Sequence, residues 1–190
     1  MAETPQANTT ARRILIDSRE FQGIYDAWAR AIGGAMQPTG SWAVVGIKER
    51  GAILARRLWN DLSTGMASGG SRPPDFGELD ISLYRDDYHL KSSQPRVLGT
   101  EISFPVEGQR IILVDDVLFT GRTVRAAIDQ ILDFGRPRRI LLAVLIDRGH
   151  RELPIAPDFI GRRIETAPGD LVEVSYRETE GEDRVELIGP

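Results

Sequence analysis

The sequence predicts an α/β fold with a mostly parallel central sheet flanked by helices, and three observations carry that expectation. Trp42–Ile47, Ile111–Val114 and Ile140–Ile146 are short, continuous apolar runs rich in β-branched residues, the pattern of strands buried on both faces. The first two run into segments with the apolar period of a helix, as crossovers between parallel strands require. Each of the three also ends in a charged or Gly-containing loop. Such loops would gather on the carboxyl edge of the sheet, where open α/β sheets bind ligands.

Taken in order, Met1–Ala11 is polar and aperiodic and reads as a disordered tail preceding one domain over residues 12–190. Asp17 with Glu20 makes a capping-box-like start to a helix reaching about Met36. Phe21, Ile24, Tyr25, Trp28 and Ile32 share one of its faces, and Gly33-Gly34 with Pro38-Thr39-Gly40 mark its end. After the Trp42–Ile47 strand comes the loop Lys48-Glu49-Arg50-Gly51, then a helix with Ile53, Leu54, Arg57 and Leu58. Ala67–Pro74 is Gly/Ser/Pro-rich and predicts a flexible connection. Leu79–Tyr84 alternates as a strand would, and Arg85-Asp86-Asp87-Tyr88 opens an aperiodic stretch to about Gly99, the kind of insertion that often serves as a lid.

The segment Arg110–Ala126, RIILVDDVLFTGRTVRA, organises the chain. Its apolar run leads to the carboxylates Asp115 and Asp116, then Val117-Leu118-Phe119 and the turn Thr120-Gly121-Arg122-Thr123. From there Val124, Ala127, Ile128, Ile131 and Leu132 follow a helical period. The segment therefore reads strand, acidic loop, Thr/Gly turn, helix. A Thr/Gly turn entering a helix offers unpaired backbone N–H groups at the positive end of the helix dipole, which suits a phosphate. Carboxylates only accept hydrogen bonds, so the acid pair suits sugar hydroxyls or a hydrated cation. A ribose 5-phosphate carries both features. The P-loop pattern and a GxGxxG after a strand are both absent.

Phe134-Gly135-Arg136-Pro137 is a helix stop. The Ile140–Ile146 strand delivers Asp147-Arg148-Gly149-His150-Arg151, and Phe159–Ile188 carries short strand-like runs (Val172–Val174, Val185–Ile188) that predict a small β-rich flap or hood. A length of 190 residues with 41% apolar content suffices for one core. No apolar run approaches the roughly 20 residues that span a membrane, and Ile14-Leu15-Ile16 is too short for a signal-peptide core. The absence of cysteine excludes disulfides and thiolate metal sites and fits a cytoplasmic setting. A net charge of −4 gives no global attraction for nucleic acid, so RNA binding would need a local basic patch.

VDDVLFTGRT resembles the phosphoribosyl-diphosphate (PRPP) motif of the type I phosphoribosyltransferases. That resemblance implies the type I fold, with its small hood and a mobile loop. It implies that Asp115 and Asp116 contact the ribose hydroxyls and that Thr120–Thr123 hold the 5-phosphate, with Val117, Leu118 and Phe119 beside the substrate. Gly46-Ile47-Lys48-Glu49-Arg50-Gly51 resembles the family's diphosphate loop, and LYRDD, with Arg85, stands where the loop that closes over PRPP begins. Magnesium would arrive with PRPP and not through direct protein ligands. A closing loop makes physical sense, because a ribosyl cation must be kept from water. Arg50 and Arg85 would stabilise the departing diphosphate.

Together with VLIDRGHRELPI, these motifs resemble the PyrR family, the pyrimidine-operon attenuation regulators that are also uracil phosphoribosyltransferases. The resemblance runs from about Ile16 to the C-terminus. It implies conversion of uracil and PRPP to UMP and diphosphate, with uracil read by backbone groups around Ile146, Asp147 and Arg148. No general acid or base stands out, and positioning with charge stabilisation can suffice. It also implies a homodimer or homotetramer and binding of an mRNA leader stem-loop, for which Arg30, Arg148, His150, Arg151, Arg162 and Arg163 are among the cations available. The family's usual Thr-Arg pair and following His on the first helix are here Asp26-Ala27 and Arg30, and Glu49 replaces the usual Thr. Acidic residues on that face oppose RNA. Transfer to another base, an RNA-binding regulator with a vestigial site, and a nucleotide sensor are the alternatives.

Overall fold

The computed structural model describes residues 12–36, 40–68, 70, 72–81 and 99–189. The expected tail (1–11) and the stretch 82–98, with Arg85, lie outside the described residues. Strand β1 (Arg12–Ile16) precedes α1 (Ser18–Ala35), then β2 (Trp42–Ile47), α2 (Arg50–Ser68), β3 (Asp75–Leu79) and β4 (Glu101–Ile102). They are followed by β5 (Arg110–Leu118), α3 (Arg122–Asp133), β6 (Arg139–Asp147), β7 (Phe159–Arg163), β8 (Leu171–Ser175) and β9 (Arg184–Ile188). Among the described residues no helix is long and apolar enough to cross a membrane.

Six strands form the central sheet in the order β4-β3-β2-β5-β6-β7. All neighbours in it are parallel except the edge pair β3–β4. Alternation along the buried strands sends side chains to two cores. Val44, Ile112, Val114 and Leu145 pack with α1 and α2, while Val45, Ile111, Leu113 and Val144 pack with α3. The result is a three-layer arrangement of helices, sheet and helix. The chain leaves β2 toward β3 through α2 and leaves β5 toward β6 through α3. The strand order therefore switches direction between the adjacent strands β2 and β5, which opens a crevice at their carboxyl ends.

α1 begins as its sequence demands, with the Asp17 carboxylate accepting from the amides of Arg19 (3.0 Å) and Glu20 (2.9 Å). Its buried face is the expected Phe21, Ile24, Tyr25, Trp28 and Ile32. Gly33 and Gly34 do not end it; they lie inside the helix, where a Cβ at Gly33 would meet Leu62 of α2 at 3.3 Å.

Four expectations need correction. The strand expected over Leu79–Tyr84 is β3, which ends at Leu79, because its register against β2 starts at Asp75 opposite Ala43. The acid pair is not in a loop: β5 runs through Asp115 and Asp116 to Leu118, since its pairing with β6 continues to Asp147. On α3, Leu132 is exposed and Gln130 is buried in its place. Phe159–Arg163 belongs to the central sheet beside β6 and not to the hood. The hood itself is a separate three-stranded sheet in the order β1-β9-β8, antiparallel throughout. Its β1 was unforeseen, because only Ile16 of that strand is buried and no alternation betrays it.

Candidate active site

The crevice at the switch point is a cavity of about 850 Å³. It is lined by Lys48, Glu49, Arg50 and Gly51 after β2, by Asp115–Thr123 from β5 to the start of α3, by Asp80 and Ile81 after β3, and by Arg148, Glu152, Leu171 and Val172. Most of the residues singled out from sequence thus meet in one place. Ile146 and Asp147 are buried in β6 and do not line it; Arg85 lies outside the described residues.

The Thr/Gly turn has the geometry expected of a phosphate cradle. Gly121 is the N-cap of α3 in the left-handed region (φ 93°) and has no side chain to cap the helix, while the Thr120 hydroxyl accepts from the Arg122 amide at 3.3 Å. A Cβ there would be strained by φ and would also press on Ile155 at 3.3 Å. The turn is braced by the segment after β6, whose Glu152 and Leu153 amides donate to the Thr120 carbonyl at 3.0 and 3.2 Å. The N-terminus of α3, with its dipole, therefore faces the cavity, which also receives the start of α2 at Arg50 and Gly51. Gly51 permits the close approach: a Cβ would lie 2.9 Å from the Val114 carbonyl and 3.0 Å from Asp115. Two helix N-termini and an acid pair thus border one space.

Asp115 is buried and Asp116 partly so. The Asp115 carboxylate accepts from the Asp116 amide at 3.0 Å, and the Asp116 carboxylate accepts from the Val117 amide at 2.9 Å. Burial holds the Asp116 carboxyl above its ordinary pKa; its hydrogen bonds to Asp115 and Val117 and the charge of Arg50 pull the other way without cancelling it. Behind the pair, the fully buried Tyr176 phenol is raised well above its usual value, chiefly by burial and further by the charge of Asp116.

Arg50 is drawn toward the hood. It donates to the Val174 carbonyl and pairs with Glu173 at 2.8 Å and Glu180 at 3.6 Å. Lys48 donates to the Gly99 carbonyl at 2.8 Å and pairs with Glu78 at 3.6 Å. Arg57, one side of α2 further on, is 8% exposed and forms two hydrogen bonds each to Asp183 and Glu178. Its guanidinium also lies over the rings of Phe21, Tyr25 and Tyr176 at 5.8, 5.6 and 5.5 Å. Sequence reading missed the hood acids Glu173, Glu180, Glu178 and Asp183, which come from a part of the chain with no periodic pattern. The one available signal was an arginine, Arg57, on the apolar face of α2.

On the far wall, Arg148 is buried, and burial lowers its pKa. It stacks over Phe119 at 4.0 Å and donates to the Thr166 hydroxyl and the Ala167 carbonyl at 3.3 and 3.1 Å. His150, at φ 55°, has Nε2 2.6 Å from the Thr166 carbonyl. Arg151 is an internal brace: it pairs with Asp147 at 2.6 Å and donates to the Phe119 and Ile155 carbonyls at 2.8 and 3.2 Å. Arg162 pairs with Glu20 of α1 at 2.9 Å, Arg163 lies 3.8 Å from Asp147, and Arg30 is exposed on α1. Arg148, His150, Arg151, Arg162 and Arg163 thus already face protein groups. Among the described residues no cluster of three or more His, Cys, Asp or Glu side chains could hold a metal ion.

Comparison with known proteins agrees with this geometry. Residues 17–179 match the phosphoribosyl transferase domain family. The chain is 49% identical over 173 residues to the Bifunctional protein PyrR of Thermus aquaticus, covering 91% of this chain and 93% of that one. It is 52% identical over 145 residues to the Bifunctional protein PyrR of Chloroflexus aurantiacus, covering 76% and 78%. A hypoxanthine phosphoribosyltransferase from Staphylococcus aureus shares the fold with a TM-score of 0.69 at 16% identity, covering 94% of this chain and 91% of that one. The chain belongs to the phosphoribosyltransferase family and, within it, to the PyrR proteins.

Proposed function

We propose that this protein transfers the ribose 5-phosphate of PRPP to uracil, giving UMP and diphosphate. The observation that carries the reading is the meeting of the α3 N-terminus, the Asp115–Asp116 pair and the α2 N-terminus around one cavity. The amides of the Thr120–Thr123 turn suit the 5-phosphate, the acid pair suits the ribose hydroxyls, and Lys48–Gly51 with the α2 dipole suit the diphosphate. Uracil would lie toward Phe119 and Arg148, read by backbone groups after β6. The bond from the ribose anomeric carbon to diphosphate breaks as one forms from that carbon to the base nitrogen. The nitrogen's proton passes to solvent, and the freed electron pair leaves on the diphosphate. Magnesium carried with PRPP would neutralise charge on the diphosphate, and the Asp115 and Asp116 carboxylates suit the waters of such a hydrated ion without ligating it directly.

Incubation of purified protein with PRPP, Mg²⁺ and uracil, orotate, hypoxanthine or adenine in parallel tests this. UMP from uracil alone is expected; product from a purine or from orotate only would overturn the choice of base.

The second reading is regulation through an mRNA leader stem-loop in the cytoplasm by a homodimer or homotetramer, favoured because relatives 49% and 52% identical carry the name bifunctional. In this chain Asp26, held by Gln22 at 2.7 Å, and Glu49 work against such contacts. Asp26→Thr combined with Ala27→Arg should tighten binding to a leader stem-loop by roughly tenfold at low salt, since one repulsive charge is removed and one attractive charge added. Unchanged retardation across a gel-shift series would count against RNA contact by this face.

A further inference from the structure

Gln130 is a polar side chain on the apolar face of α3, 9% exposed among Val124, Ala127 and Ile131. Its Nε2 donates to the Asp80 carbonyl at 3.1 Å and to the Thr100 hydroxyl at 2.9 Å. The same hydroxyl accepts from the Asp80 amide at 3.1 Å. Both backbone polar groups of Asp80 are therefore tied to one Gln130–Thr100 pair. The Oε1 of Gln130 is buried with no partner among the described residues, a cost that an apolar residue here would avoid. The amide is thus better explained by what its nitrogen holds than by stability. What it holds is a wall of the site: Asp80 and Ile81 line the same cavity as the phosphate turn at the other end of α3.

We propose that Gln130 is a positioning residue, which fixes the Asp80–Ile81 wall relative to the N-terminus of α3 and so sets the fit of the cavity to PRPP. The inference rests on the reading of the cavity as a PRPP site. The wall follows β3, whereas Arg148 follows β6, and β2 and β5 stand between those two strands in the sheet. It bounds the ligand alike before and during reaction, so its displacement weakens binding and leaves turnover intact.

The test uses Gln130→Met, which keeps length without hydrogen bonds, Thr100→Val, which removes the hydroxyl, and Thr100→Ser, which keeps it. PRPP affinity is read by calorimetry, kcat and KM by UMP formation, and folding by thermal melting. Gln130→Met and Thr100→Val should each raise Kd and KM for PRPP about tenfold, as loss of a hydrogen-bonded junction implies, with kcat changed less than about twofold. Thr100→Ser should match the parent protein, and the double variant should be no weaker than either single. Unchanged affinity in Gln130→Met, equal damage in Thr100→Ser, or additive losses would overturn the proposal. Failure of the parent protein to bind PRPP would instead overturn the reading of the cavity, so the two failures are distinct.

Discussion

Asp116→Asn is expected to lower transferase activity by about 100-fold while leaving the protein at least as stable at pH 7. The activity loss follows from replacing a charged acceptor of ribose hydroxyls by a neutral amide, with charged hydrogen bonds worth roughly 1.5–3 kcal/mol each. The stability expectation follows from the direction of the pKa. Burial raises the folded-state value of Asp116, so the native protein binds this proton more tightly than the unfolded chain does. Its contribution to stability then declines as pH rises from the ordinary carboxylate value of about 4 through the raised folded value. Asn removes that decline. Urea unfolding of both proteins between pH 4 and 8 should show the variant gaining on the parent as pH rises. A variant that is markedly less stable at pH 7, or that stays active, would show that Asp116 is a structural carboxylate.

Arg57→Met should have the largest effect on stability, about 3–5 kcal/mol, because it strands a buried acid. Asp183 is 6% exposed and accepts two hydrogen bonds from Arg57, at 2.8 and 3.1 Å, beside one from the Arg177 amide at 3.0 Å. Burial alone would raise the Asp183 pKa; the Arg57 hydrogen bonds, the Arg177 amide and the charges of Arg57 and Arg177 outweigh it and hold the value below normal. A lowered carboxyl pKa contributes stability above the unfolded value of about 4, lost as pH falls through the folded value. Chemical denaturation of Arg57→Met should therefore give a large loss at pH 7 that narrows below pH 4. The hood strand β8 carries Glu173 and Val174, which hold Arg50, and Val172, which lines the cavity. Loosening its anchor should weaken PRPP binding as well. A loss under about 1 kcal/mol, the range of exposed ion pairs, would place Arg57 on the surface in effect.

The parts of the fold that were legible from sequence are those where one residue set answers one local demand. β2 and β6 are continuous apolar runs because both faces are covered, and α1 shows its buried stripe because only one face is. The Thr/Gly turn is legible because its geometry, a glycine with positive φ at the start of a helix, is written within a few adjacent residues. The acid pair reads locally as a loop, since two aspartates at the end of a strand look like a turn; the pairing of Asp115 with Val144 and of Val117 with Ile146 of β6 is a long-range fact. β1 and the hood acids were not legible for the same reason. Arg12–Ile16 becomes a strand only when β9 arrives from the other end of the chain. Gln130 and Arg57 break the apolar pattern of their helices; the first ties to Asp80 of the cavity wall and the second to Glu178 and Asp183 of the hood.

The central claim is that one cavity holds the 5-phosphate on the α3 N-terminus and the ribose on the acid pair. The most direct measurement is a crystal structure with UMP bound. The phosphate is expected on the backbone amides of the Gly121–Val124 turn and the ribose hydroxyls within hydrogen-bond distance of Asp115 and Asp116. A nucleotide with its phosphate at Arg50 and Gly51, or seated in another cavity, would contradict it.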